Sequence, residues 1–257
     1  MTAIFVDCER SVAYKSPDYI QPWGTKQDNS TNKFFNKKLY KLYGIQKNLK
    51  ILDLGCSGGG FVKMCHDDGH FAIGLEGNDV SKKNKRAEWA SIPERLFTCD
   101  VTGKFNIYKN KNDSTRIKFN VITSWELIEH IAECDLKQLA ENVKNHLSNN
   151  GLWIMSISPN EEIINGVRLH QSVHNKPWWI NTFRRLGFIN KEKYVKYFNT
   201  QFVRGPKYGA GGSFHLVLTL PKNKLPPIPK ETILQRMTDK YRGSKLQKAL
   251  RFLVLGE

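Results

Sequence analysis

The sequence predicts an α/β chain whose centre is an open, doubly wound, mostly parallel sheet with helices on both faces. Three observations predict it. Short apolar runs alternate with amphipathic stretches from Ile51 to Ile157; a loop of glycines follows the first run at once; and later runs end in an acid. Strand and helix in strict alternation join by right-handed crossovers, which lay the strands parallel.

Residues 1–30 are polar, hold Pro17, Pro22 and Gly24, and show no sustained period, so they read as an extended arm with turns. Tyr14, Tyr19, Trp23 and Thr25 either anchor this arm by burying aromatic area or touch a ligand. Thr31-Asn32 then precede Phe34, Phe35, Leu39 and Leu42, the spacing of an amphipathic helix that ends near Gly44 with its lysines facing water. The first strand is Ile51–Leu54, and its crossover helix runs from Val62 to Asp68, closed by Gly69. A second strand, Phe71–Glu76, leads to a helix over Asp79–Trp89 with Asp79 or Ser81 as cap. Pro93 stops the chain before a third strand, Leu96–Val101.

Residues 103–118 hold few apolar side chains and read as a surface loop before the fourth strand, Phe119–Ser124. Asp135 starts a helix with Leu136, Leu139, Ala140, Val143 and Leu147 on one face; Asn149-Asn150-Gly151 ends it, and Leu152–Ile157 is the fifth strand. After an irregular stretch, Pro177 opens a helix over Trp178–Leu186 that Gly187 closes. Tyr194–Phe202 and Phe214–Leu220 read as an antiparallel hairpin about the Gly-rich segment 204–212. Residues 221–229 form a linker, and Glu231–Leu255 one or two basic amphipathic helices around Gly243. The expected division is an arm (1–30), a central domain (31–220) and a basic helical extension (221–257). No internal repeat is visible.

A chain of 257 residues with 40% hydrophobic content can bury a sizeable core. No run of eighteen apolar residues occurs, and the first residues lack the basic start and apolar centre of a signal peptide, so the expectation is a soluble, cytoplasmic protein. Five cysteines, an odd number without C-x-x-C spacing, indicate reduced thiols rather than a disulfide framework or a thiolate zinc site. The net charge of +16 attracts phosphate-rich or otherwise anionic partners, yet the lysines are spread along the chain, as on a generally solvated basic surface.

The stretch Ile51-Leu52-Asp53-Leu54-Gly55-Cys56-Ser57-Gly58-Gly59-Gly60-Phe61 turns a buried strand tightly into a helix. Backbone N–H groups there can approach a ligand at the positive end of that helix, the general design of nucleotide-cofactor sites in open α/β sheets. The acid two residues before the first glycine distinguishes the pattern from the dinucleotide fingerprint. With Glu76 and Asp100 closing the second and third strands, the set resembles motif I and its successors in the class I S-adenosylmethionine (SAM) methyltransferases, over about residues 45 to 220. That resemblance implies a Rossmann-like, seven-stranded sheet ending in an antiparallel hairpin. It also implies SAM as cofactor, held by Asp53, Gly55, Cys56, Ser57 and Gly58 at the loop, Glu76 and Gly77 at the ribose, Asp100 and Val101 at the adenine, and Trp125 at the fourth strand's end.

Glu126-x-x-Glu129-His130 follows the fourth strand at the sheet edge where ligands bind in this architecture. On a helical turn both carboxylates share a side with the imidazole near them. Two carboxylates and an imidazole suit Mg²⁺ or Mn²⁺, or zinc if His170 or His174 joins. Without metal, His130 or His174 serves as general base and a glutamate orients the acceptor. The motif with a downstream His resembles the metal site of plant small-RNA 3′-terminal 2′-O-methyltransferases, and part of it the ubiquinone-biosynthesis O-methyltransferases. The implied role is a divalent ion gripping two vicinal hydroxyls. Glu126, Glu129, His130 and His174 are thus the candidate catalytic residues, and these four with His170 the candidate metal ligands.

Arg168, Trp178, Arg204 and Tyr208, with Trp23 on the arm, are the candidate substrate contacts. The segment from His170 to Trp179 resembles methyltransferases of polysaccharide and glycan modification, which implies a sugar hydroxyl as acceptor. RNA 2′-O-methylation is the second reading, favoured by charge and by the metal-site resemblance, although no RRM, KH or zinc-knuckle pattern is present. A binding subunit without activity is the third, and the intact Asp53, Gly55, Glu76 and Asp100 argue against it. Oligomeric state is not legible.

Overall fold

The structure is a computed structural model that describes residues 4–44, 48–244 and 246–247. The amino-terminal segment forms β1 (Phe5–Cys8), α1 (Pro17–Ile20) and α2 (Trp23–Gln27), and α3 (Lys33–Tyr43) follows. The central alternation comprises β2 (Lys50–Leu54), α4 (Gly60–Asp67), β3 (Phe71–Glu76), α5 (Val80–Lys83), β4 (Leu96–Thr98), β5 (Phe105–Tyr108), β6 (Phe119–Trp125), α6 (Leu136–His146) and β7 (Leu147–Ile157). Short strands β8 (Ile163–Ile164) and β9 (Val167–Arg168) precede α7 (Lys176–Arg185), β10 (Ile189–Asn190), α8 (Glu192–Phe198), β11 (Phe214–Thr219) and α9 (Ile233–Tyr241).

Seven strands form one sheet in the order β10-β11-β7-β6-β2-β3-β4. The five from β7 to β4 are parallel, and β11 and β10 are antiparallel to their neighbours. Period-two alternation sends successive side chains of a strand to opposite faces. Leu52, Ile73 and Ile122 therefore join one apolar layer with Leu139, Val143 and Phe183 of α6 and α7. Ile51, Ala72 and Val121 join the other, with Phe35 and Leu39 of α3, Val62 of α4 and Phe198 of α8. Burial on both faces explains why these strands read as near-continuous apolar runs.

The structure departs from the sequence expectations at several elements. The arm is extended only in part: it holds the helices α1 and α2, and its strand β1 pairs antiparallel with β5, which gives the supposed loop 103–118 a strand with Phe105 and Ile107 buried. The helix over Asp79–Trp89 breaks after one turn, because Lys85 and Ala87 adopt positive φ, and neither Asp79 nor Ser81 caps it; the Asn78 carboxamide accepts the Val80 N–H at 2.9 Å instead. Asn149-Asn150-Gly151 lies inside β7, whose pairing with β6 shifts register there, and α6 gives way directly to extended backbone at Leu147. Tyr194–Phe202 is no strand. Tyr194, Tyr197 and Phe198 recur at i, i+3 and i+4 and are buried, the period of α8, so β10 takes the place of the outer hairpin strand.

On α3 the lysines do not all face water. Lys38 is buried and its Nζ lies 2.6 Å from both Glu231 and Asp239, which pins α9 against the body. Thr232 and Gln235 form a capping box that starts α9. Of the one or two helices expected over Glu231–Leu255, α9 is one, and position 245 and the residues from 248 onward lie outside the described part. Among the described residues no helix is long and apolar enough to cross a membrane.

Candidate active site

The carboxyl ends of β2, β3, β4, β6 and β7 open onto a cavity of about 760 Å³. Its walls come from those strand ends, from the arm, and from the segment before β11. Gly55 makes the turn out of β2 at φ +71°, where a Cβ would also press on Leu127 at 3.0 Å. Gly58 lies beneath the arm, and a Cβ there would sit 2.5 Å from the Asn29 Oδ1. The loop's glycines thus admit the protein's own arm closely as well as any ligand.

Glu76, at the end of β3, is buried and raised above the usual carboxylate range by that burial. Its Oε2 accepts the Ser57 N–H at 2.8 Å; its Oε1 accepts the Asn78 N–H at 3.0 Å and the Thr25 hydroxyl of the arm at 3.3 Å. Asp100 lines the cavity but also holds the arm, with Arg10 Nε 2.7 Å from its Oδ2 and the Thr102 N–H donating to its Oδ1 at 2.9 Å. Gly55, Ser57, Gly77, Val101 and Trp125 also line the wall. Asp53, Cys56 and Gly58 do not. Asp53 is buried under the loop, where burial raises it to about 8 against a 2.6 Å hydrogen bond from the Thr123 hydroxyl. Burial likewise pushes the Cys56 thiol well up.

The structure also gathers Glu129, His130 and His170, whose ligand atoms lie within 4.8 Å of one another; the two histidines line the cavity and Glu129 is buried behind its wall. A short 3-10 turn, Ile128–His130, follows β6, and the Glu129 carbonyl accepts the N–H groups of Gln171 and Ser172 at 2.8 and 2.9 Å. That pairing draws His170 beside His130, with ring centroids 4.6 Å apart. The His170 Nδ1 faces the Asn160 carbonyl at 2.6 Å and its Nε2 lies 3.3 Å from the Glu162 carboxylate, while the His130 Nδ1 faces the Asp18 carboxylate of α1 at 3.1 Å. A carbonyl only accepts, so His170 carries a proton on Nδ1, which leaves Nε2 as the nitrogen that would meet a cation in place of Glu162.

The Glu129 Oε1 accepts the Ser158 N–H at 2.8 Å, while its Oε2 is buried without a partner, as is the Glu126 Oε1. The orphaned Glu129 oxygen beside the two imidazoles is a donor set that a divalent cation could satisfy and that the described residues leave incomplete. Burial, with Glu126 adding to it, pushes Glu129 up to about 8. Burial works against a charged His130, yet its hydrogen bond to Asp18 and the Asp18 and Glu129 charges raise it to about 9.

Not every candidate converges here. Glu126 lines the cavity at φ +49° with its Oε2 accepting from the Ser213 hydroxyl at 2.7 Å, but it stands outside the three-residue cluster. His174 also stands apart: it pairs with Glu133 at 2.7 Å and stacks on Trp178 at 3.6 Å, beyond the cavity wall. Trp178 lines a smaller depression of about 200 Å³ with Glu133 and Arg185. Arg168 is exposed and pairs with Glu161, and the Tyr208 hydroxyl donates to Gln201, so neither lines the cavity. Trp23 and Arg204 do, the latter 3.2 Å from Asp28 of the arm. Sequence reasoning missed Arg10, Asp18, Asn78, Ser158 and Glu162. Ser16-Pro17-Asp18 carries the signal of a capped helix start, but nothing local tells that Asp18 meets His130.

The methyltransferase-domain family matches residues 28–201, which takes in the glycine loop, all of β2 to β10, and the Glu-His turn. The chain belongs to that family and is a class I, SAM-dependent methyltransferase. Among solved structures it is similar to the Burkholderia thailandensis 1,6-didemethyltoxoflavin N1-methyltransferase, crystallised with S-adenosylhomocysteine, at 17% identity and TM-score 0.54 over 80% of this chain and 84% of that one. A TehB-like methyltransferase of Corynebacterium glutamicum (16%, TM-score 0.48, 80% and 97% covered) and the Synechocystis magnesium protoporphyrin IX methyltransferase (12%, 0.49, 80% and 96%) share a looser likeness. No curated protein matches the sequence.

Proposed function

We propose that this chain transfers the methyl group of SAM to a sugar hydroxyl of a glycan or polysaccharide, with a divalent cation, Mg²⁺ or Mn²⁺, assisting. The observation that supports the reading is the convergence of Glu129, His130 and His170, the two histidines lining the same cavity as Trp125 and Gly55. In this reading Glu76 and Gly77 hold the ribose, Asp100 and Val101 flank the adenine, and Gly55 and Ser57 support the methionine end. SAM supplies an electrophilic sulfonium methyl; a cation on Glu129, His130 and His170 would lower the pKa of a hydroxyl bound to it. Glu126, with one carboxylate oxygen uncommitted, orients the acceptor by taking a hydrogen bond from its neighbouring hydroxyl. Asp18 holds the His130 ring so that Nε2, without a partner among the described residues, faces its task. Transfer forms the O–CH₃ bond as the S–CH₃ bond breaks, the hydroxyl proton passing to solvent, and alignment of the reacting atoms supplies much of the acceleration.

The sign of the cavity favours a neutral acceptor. On a chain of net charge +16, its wall carries Asp18, Asp28, Glu76, Asp100, Glu126, Asp135 and Glu162 against Arg10, Lys15 and Arg204. Such a wall attracts a sulfonium, an ammonium and a cation, and repels a phosphate backbone. RNA 2′-O-methylation remains the second reading, supported by the basic surface outside the cavity. Tritiated-methyl transfer to purified glycan and to total RNA separates them: label in glycan, lost with EDTA and restored by Mg²⁺ or Mn²⁺, is expected. Label in RNA alone overturns the acceptor, and turnover indifferent to EDTA overturns the metal.

A further inference from the structure

Helix α9 is fastened by one face and bare on the other. Asp239, buried, takes Lys38 at 2.6 Å; the Gln201 amide and Thr200 hydroxyl donate to the Asp239 carbonyl at 2.7 and 2.9 Å. The opposite face holds Ile233 (79% exposed), Leu234 (74%), Met237 (63%) and Tyr241 (39%), which span about 100° of the helix circumference at 3.6 residues per turn. Exposed Arg236 and Lys240 border that stripe on one side, and exposed Lys230 precedes the helix. The buried ion pairs fix the orientation, so the apolar stripe stays presented to solvent rather than turning inward.

We propose that this face is a docking surface for an anionic lipid bilayer, the apolar stripe entering the headgroup boundary while the cations meet lipid phosphates. Charge and size choose the occupant. An apolar stripe bordered by Lys and Arg on a helix lying flat is the composition of an interfacial helix, and the chain's excess of +16 draws it to a negative surface. A second copy is a poorer fit. The nine-residue helix is about 14 Å long, well short of the roughly 800 Å² per partner of a stable protein interface, and two such basic borders repel.

The test is co-sedimentation of the full chain with vesicles of phosphatidylcholine alone or with a third phosphatidylglycerol. Binding to the anionic vesicles only, weakened by salt, is expected. The double variant I233D/M237D should abolish it, and R236E/K240E should weaken it by nearly three orders of magnitude, at about fivefold for each cation removed and again for each acid introduced. Circular dichroism and S-adenosylhomocysteine affinity should not change in either. Failure of the full chain to bind anionic vesicles overturns the proposal. Binding that both variants keep overturns it as well, and so does self-association that I233D/M237D removes, since the occupant is then a second copy.

Discussion

Asp18 and His130 are 112 positions apart, and their contact shows how much of this site rests on single side chains brought from a distance. If Asp18 positions the His130 ring, D18A should lower kcat by ten- to a hundredfold and leave S-adenosylhomocysteine affinity within about twofold, with D18E restoring part of the rate. A kcat equal to wild type would remove that role. Glu76 and Asp53 separate differently. Glu76 lines the cavity, so E76A should cost cofactor affinity by two orders of magnitude or more in calorimetry. Asp53 acts from below through the loop it supports, so D53N should cost less than E76A, accompanied by a lower Tm. Equal losses without a change in Tm would show that Asp53 meets the cofactor itself.

At the scale of elements, buried polar groups decide which segments are fastened. His146 ends α6 with its Nε2 accepting the Ile107 N–H at 3.1 Å and its Nδ1 facing the Asn142 carbonyl at 2.8 Å, so β5 hangs on a neutral imidazole. Burial holds its pKa down to about 4. A histidine depressed in the folded state stabilises above its ordinary value of 6.5, and that stability is lost as pH falls toward 4. The loss is on the order of 3 kcal/mol, so Tm should drop across this window and flatten in H146Q. Lys38 is the matching case for α9. Removing it takes the cation from between half-buried Glu231 and buried Asp239 and leaves Asp239 only Arg242 at 3.6 Å, so K38A should cost about 3 kcal/mol of stability in denaturant unfolding. A cost under 1 kcal/mol would mean that α9 is held by its other contacts.

At the scale of the whole molecule, a basic exterior surrounds an acidic cavity, and the two should be separable. Heparin should retain the chain at low salt and release it steeply as salt rises, while S-adenosylhomocysteine affinity stays nearly constant. Affinity for both falling together would place the polyanion in the cavity. The parallel half of the sheet, the glycine loop and the acids at Glu76 and Asp100 were legible in the chain because each depends on a local pattern: apolar runs, glycine where a turn needs positive φ, an acid at a strand end. Tyr194–Phe202 misled because aromatic residues suit a strand as well as the buried face of a helix, and the three-and-four spacing of Tyr194, Tyr197 and Phe198 was the better sign. Residues 103–118 misled because β5 has its pairing partner, β1, about a hundred positions earlier. By itself the sequence determined the class of fold, the glycine loop at the end of its first parallel strand and the Glu-His turn, all set by residues near one another in the chain. Only the tertiary structure decided that His170 joins Glu129 and His130 while His174 does not, that Asp18 closes on them from the arm, and which face of α9 meets water. Those outcomes depend on hydrogen bonds and ion pairs between remote segments, and no local period encodes them.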